Sequence, residues 1–133
     1  MLTYLWVAAG GALGSMARFW MGAAVAALTG PQFPWGTILI NILGSFIIGL
    51  VAALSGPDSR LAVSSDMRAF VMVGICGGYT TFSAFSLQTL ELARGREWLQ
   101  AGGNILMSVV LCLIAVWLGY LLGDRLGAPA GQS

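Results

Sequence analysis

The chain has 133 residues, enough for one small domain. Hydrophobic residues make up 58% and charged residues 8%, against about 45–50% and about 25% in soluble domains, so a fully water-facing exterior is excluded and lipid is the matching solvent. Net charge is +1, with no lysine, no histidine and few acids, which leaves nucleic-acid binding, metal catalysis and acid–base chemistry poorly supplied.

A membrane-spanning helix needs about 20 mostly apolar residues. The first candidate runs from about Leu2 to Leu28. It lacks a basic leading stretch and is too long for the apolar part of a signal peptide, so it reads as a retained span. Gly10 and Gly14, and Gly11 and Ser15, stand four apart, a spacing that lets helix backbones approach closely. Arg18 falls about two-thirds along this span, where a cation is costly. It either snorkels to the interface as an anchor, or it attracts and orients an anion at a vestibule. Thr29-Gly30-Pro31-Gln32-Phe33-Pro34 predicts a turn.

The second span runs from about Trp35 to Leu54. Asn41 lies in its first third, one turn after Thr37. An asparagine in lipid must find partners, either an interhelical hydrogen bond or an anion that accepts from its amide. Ser45 and Gly49 repeat the small-residue spacing. The following connection, Ser55 to Asp66, contains Gly56-Pro57-Asp58-Ser59-Arg60. Asp66 is expected to cap the third helix, its negative charge at the positive end of the dipole.

The third span runs from about Ala69 to Ala93 and holds the strongest signal, Gly74-Ile75-Cys76-Gly77-Gly78-Tyr79-Thr80-Thr81-Phe82-Ser83-Ala84-Phe85-Ser86. A double glycine followed by β-branched Thr80 and Thr81 is poor helix material. Mid-membrane, freed backbone groups must be satisfied, so a helix break there has to be buried or line a polar cavity. Such breaks present carbonyl oxygens to cations. After the break, Phe82 and Phe85 share a face at i, i+3, and Ser83 and Ser86 share an adjacent one. Ring edges carry partial positive charge and can touch a small anion.

Arg94-Gly95-Arg96-Glu97 separates the fourth span, about Leu99 to Leu122. Asn104, Ser108 and Cys112 form a polar stripe there at i, i+4, i+8, suited to helix–helix hydrogen bonding or to a permeation track. Gly74 and Gly78, and Gly119 and Gly123, repeat the small-residue spacing. Cys76 and Cys112 read as packing residues, with neither the spacing nor the neighbours of a disulfide or metal pair. Trp6, Trp35, Trp98 and Trp117 suit interface anchors.

The connections are short, so neighbouring spans run antiparallel. One side carries Arg60, Arg68 and Arg125; the other carries Arg94 and Arg96, with Arg18 if it snorkels that way. With the cations so balanced, the positive-inside rule favours neither orientation. The balance fits a weakly biased single topology, or insertion both ways with an antiparallel dimer whose two-fold axis lies in the membrane plane.

Over nearly its whole length the sequence resembles the Fluc (CrcB) family of fluoride channels. The carriers are Gly10-Gly11-Ala12-Leu13-Gly14 leading to Arg18, Gly36-Thr37 with Asn41 and Gly44-Ser45-Phe46, and above all Gly77-Gly78-Tyr79-Thr80-Thr81-Phe82-Ser83. The resemblance implies an all-α membrane protein: a single four-helix transmembrane domain over residues 1–133, its third helix broken near the middle, paired as an antiparallel, dual-topology homodimer. It implies passive fluoride export through two pores across a bacterial inner membrane, and no enzyme activity. It also implies a structural Na⁺ at the dimer centre, held by the backbone carbonyls of Gly77 and Thr80 of each subunit. Phe82 and Phe85 match the pore-lining aromatics, Asn41 the pore asparagine and Arg18 the vestibule arginine. Ser108 falls on the family's polar track, and Thr37 and Ser83 are further candidate donors. Ala84 stands where a threonine is common, so one hydroxyl is missing; Asn104 and Cys112 also depart from the usual track.

Two other readings fit four short spans. A proton-coupled multidrug exporter needs a membrane-embedded carboxylate, and Glu91, near the end of the third span, is the only acid inside one. A non-transporting assembly subunit needs no break followed by hydroxyls and paired phenylalanines.

Overall fold

The computed structural model describes residues 1–56 and 63–127. The Pro57-Asp58-Ser59-Arg60 part of the second connection, and with it Arg60 of the charge balance, lies outside the described residues, as does the tail ending at Ser133. The described chain is helical throughout apart from its turns. Helix α1 covers Leu2–Thr29 and α2 covers Trp35–Leu54. The third span, Ser65–Arg94, is in two pieces, α3 over residues 65–79 and α4 over Phe82–Arg94. Helix α5, Trp98–Gly127, is the fourth span. All four spans are long and apolar enough to cross a membrane.

Local chemistry sets the ends. After α1, Gly30 adopts φ 80° and its N–H donates to the Ala26 carbonyl at 2.9 Å. Glycine enters this left-handed region without steric penalty. The Phe33 and Trp35 rings, 4.8 Å apart, pack over the same turn. After α4, Arg96 rather than Gly95 takes the left-handed conformation, with φ 64°. The Arg96 and Glu97 N–H groups close back on the Ala93 and Leu92 carbonyls at 3.0 and 2.9 Å, satisfying the last carbonyls of the helix. Helix α5 continues past Leu122 and so brings Arg125 into its last turn, favourable to the helix dipole.

The expected cap of the third span is corrected. Ser64 holds the capping position, its hydroxyl accepting from the Met67 N–H at 3.2 Å. Asp66 lies inside the first turn, where its charge still complements the dipole. Its carboxylate accepts from the Thr3 hydroxyl at 2.6 Å and so ties α3 to the start of α1.

Two glycine-lined seams hold the spans together. In the first, α1 lies along α3. A Cβ at Gly10 would be 2.5 Å from the Phe70 carbonyl oxygen, and one at Gly78 would be 2.5 Å from that of Gly11. In the second, α2 lies along α5. A Cβ at Gly49 would overlap the Val116 carbonyl, and one at Gly119 that of Phe46. Small residues at four-residue spacing thus let backbone meet backbone, which supplies dispersion contact where lipid offers no hydrophobic drive between helices.

Few side chains are fully enclosed. Among the described residues, Ile38, Ile40, Cys76, Phe85, Ala101 and Ala115 are the buried apolar ones, and Thr37, Asn104 and Ser108 the buried polar ones. Large apolar residues such as Phe19, Leu106, Leu113 and Trp117 face outward, as suits a lipid-facing exterior. Asn104, fully buried, donates to the Thr89 hydroxyl at 2.8 Å and so links α5 to α4.

One feature of α3 carries no sequence signal. Residues Ala69–Cys76 form a π-helix, bounded by α-helical Ser65–Arg68 and Gly77–Tyr79. π-Helical turns are rare and concentrate at functional sites. This one runs directly into the double glycine.

Candidate ion-conduction site

The third span breaks at the threonines rather than at the glycines. Gly77 is helical, with φ −65° and ψ −37°. Thr80 and Thr81 are extended, with ψ 157° and 111°. A β-branched residue accepts this backbone readily. Each threonine hydroxyl then serves a neighbouring backbone group. Thr80 Oγ1 donates to the Cys76 carbonyl at 2.9 Å. Thr81 caps α4, its Oγ1 accepting from the Ala84 N–H at 3.1 Å.

The break redistributes the backbone bonds. In a continuous helix the Thr81 N–H would donate to the Gly77 carbonyl, and the Ala84 N–H to that of Thr80. Here Thr81 N–H goes to Asn41 Oδ1 at 2.8 Å, and Ala84 N–H goes to the Thr81 hydroxyl. The Gly77 and Thr80 carbonyls both lose their ladder donors. Asn41 completes its pairing from the other side, its Nδ2 donating to the Thr81 carbonyl at 3.1 Å. One side chain of α2 thus replaces a strand neighbour for Thr81. An amide nitrogen carries two N–H groups, so Asn41 keeps one beyond this pairing.

A cavity of about 360 Å³ opens beside the break. It brings together Asn41 and Ser45 from α2, Cys76 and Thr80 from the end of α3, Phe82 and Phe85 from α4, and Ser108 and Cys112 from α5. The Phe82 and Phe85 ring centroids are 5.3 Å apart with 50° between planes. Phe85 is buried, whereas Phe82 is 78% exposed on the single chain. The Ser108 hydroxyl is 3.4 Å from Asn104 Oδ1, to which it donates.

Other sequence candidates fall elsewhere. Thr37 is buried but lines a separate groove beside the α1–α2 turn. Ser83 is exposed, outside the cavity lining, its hydroxyl 3.3 Å from that of Thr81. Arg18 is half-buried, and its Nε donates to the Gly78 carbonyl at 3.0 Å. Gln88 is not singled out by the sequence. It shares the Thr37 groove, and its Oε1 is buried with no hydrogen-bond partner among the described residues. Its signal is the i, i+3 spacing from Phe85 on an amphipathic helix, too common to mark it.

The family profile described as "CrcB-like protein, Camphor Resistance (CrcB)" matches residues 5–120, which include the break and every residue of the cavity. The chain belongs to the CrcB family. Its CrcB relatives are alike almost end to end. The fluoride-specific ion channel FluC of Rhodospirillum rubrum is 58% identical over 120 residues, 90% of this chain and 93% of that protein. The protein of the same name from Methylocella silvestris is 56% identical over 130 residues, 98% of this chain and 99% of its own length. That from Opitutus terrae is 52% identical over 132 residues, covering 99% and 100%. With four helices of spanning length and composition, this CrcB chain is a multi-pass membrane protein.

Proposed function

We propose that the chain is a fluoride-selective ion channel. In this reading it works as an antiparallel, dual-topology homodimer in a bacterial inner membrane and lets fluoride leave the cytoplasm passively through two pores. The relatives named above as fluoride-specific ion channels support it. The observation that carries it is the cavity at the helix break. Fluoride is small and strongly hydrated, so a pore must replace water's hydrogen bonds. The second N–H of Asn41 is a free neutral donor, the Ser108 hydroxyl becomes one by turning away from Asn104 Oδ1, and the Phe82 and Phe85 ring edges add partial positive charge. Thr37 and Ser83 would extend the donor set beyond the cavity. Among the described residues the cavity lining holds no arginine and no carboxylate. A full cation there would hold fluoride too tightly to pass, and an acid would repel it. The same lining disfavours a proton-coupled exporter, because Glu91 is exposed and lines a groove near the α1–α2 turn with Gln32 and Glu97 instead.

Sodium is the proposed structural ion at the dimer centre, held by the Gly77 and Thr80 carbonyls of each subunit. The donors fit. Both carbonyls have lost their helical partners, and neutral oxygens suit a hard cation. Bound there, Na⁺ would supply the positive charge that the freed carbonyls call for. The outward Phe82 beside the break, and the balanced arginines, support a second copy inserted in the opposite sense.

Expression in a bacterium that cannot export fluoride tests the reading. Growth in fluoride medium is expected to be restored. Unchanged sensitivity, with the protein present in the membrane, would contradict it.

A further inference from the structure

Arg18 does more at the break than its charge suggests. The extended Thr80–Thr81 link carries the Phe82 N–H away from the Gly78 carbonyl, which it would reach in a continuous helix. Arg18 supplies the replacement, its Nε donating to that oxygen at 3.0 Å, and the Ser15 hydroxyl lies 3.5 Å from the same atom. Both donors stand on α1, one turn apart, where the glycine seam brings α1 backbone against Gly78. Among the described residues no carboxylate pairs with Arg18, so the side chain is oriented by a backbone carbonyl and not by an ion pair.

We propose that Arg18 is a positioning residue for the helix break: its Nε bond fixes the Gly78 carbonyl on α1 and so withdraws it from the run of carbonyls that the break frees, to which the proposed cation ligands Gly77 and Thr80 belong. Geometry, not charge, is then its first task at this point. Gly78 is withdrawn from the donor set, and the peptide planes on either side are held. Asn41 clamps Thr81 from α2 in the same way. The two clamps grip opposite ends of the break, one from each neighbouring helix.

Two substitutions separate bond from charge. In Arg18→Gln, Nε2 lies as many bonds from the backbone as the arginine Nε, so the donor is kept and the charge removed. In Arg18→Met, a methyl carbon takes that place and no donor remains. The full-length protein in nanodiscs is read in two ways. The first is amide hydrogen exchange over residues 78–84. The second is release of Na⁺ after transfer to Na⁺-free medium, which rests on the cation site proposed above. Arg18→Gln is expected to match the unsubstituted chain in both. Arg18→Met is expected to exchange and to release Na⁺ at least about tenfold faster, the scale of one lost hydrogen bond to a charged donor. If Arg18→Met does not fold, Arg18→Gln decides alone: wild-type exchange supports the bond, and failure to fold overturns it. Two variants that are equally impaired, or equally unaffected, in exchange would also overturn the proposal. If the unsubstituted chain itself retains no Na⁺, the cation site falls, while the exchange comparison still judges Arg18.

Discussion

Gly14→Ala is expected to destroy the folded protein. The new Cβ would overlap the Ile75 carbonyl oxygen and would lie 2.8 Å from the Tyr79 nitrogen and 3.1 Å from the Gly78 carbonyl carbon. Every one of these neighbours is backbone, so no side chain can turn aside. Overpacking a well-packed interior costs about 1–3 kcal/mol when side chains can adjust, and the cost here should exceed that range. The seam between α1 and α3 would have to open, and with it the support under the double glycine and the break. Gly22→Ala is the matched control on the same helix, because its Cβ would meet only Ile40 Cδ1, at 3.8 Å. Thermal unfolding and size-exclusion profiles in detergent should show Gly14→Ala aggregated or absent and Gly22→Ala normal. A monodisperse Gly14→Ala protein with an unchanged melting temperature would mean that the close seam is not what holds the spans together.

Replacing the paired phenylalanines should remove conduction while sparing the fold. Phe85 is buried against the cavity, and Phe82 stands on the same helix face with its ring 5.3 Å away. Isoleucine keeps apolar bulk in each case but has no ring edge to offer an anion. Phe82→Ile and Phe85→Ile are each expected to slow fluoride flux at least about tenfold, which corresponds to about 1.4 kcal/mol on the barrier. Their elution profiles should match the unsubstituted chain, since neither residue belongs to a glycine seam. Wild-type flux in both variants would take the pair out of the permeation path.

The four spans are legible because long apolar runs end at proline- and glycine-rich turns, and lipid leaves the chain few alternatives. The break is legible too, but its register is not. The glycines catch the eye, yet Gly77 and Gly78 remain helical, and the extended pair is Thr80 and Thr81, whose hydroxyls bind the adjacent backbone. The π-helix over Ala69–Cys76 follows no residue pattern that the sequence reading could use. Partners are the least legible part. Asn41 has to find hydrogen bonds in lipid, but that both ends of its amide meet Thr81, 40 positions away, follows only from packing. Arg18 at Gly78 is the same case over a separation of 60. Thr37 shares the helix of Asn41, one turn earlier, and still opens onto a different groove.

Fluoride selectivity in a defined membrane tests the central claim most directly. Purified protein is reconstituted into liposomes loaded with potassium fluoride or potassium chloride, and anion efflux is followed by electrode after a potassium ionophore is added. Rapid fluoride efflux with chloride retained is the expected result, and it requires no proton gradient. No fluoride efflux, or chloride efflux at the same rate, would contradict the account.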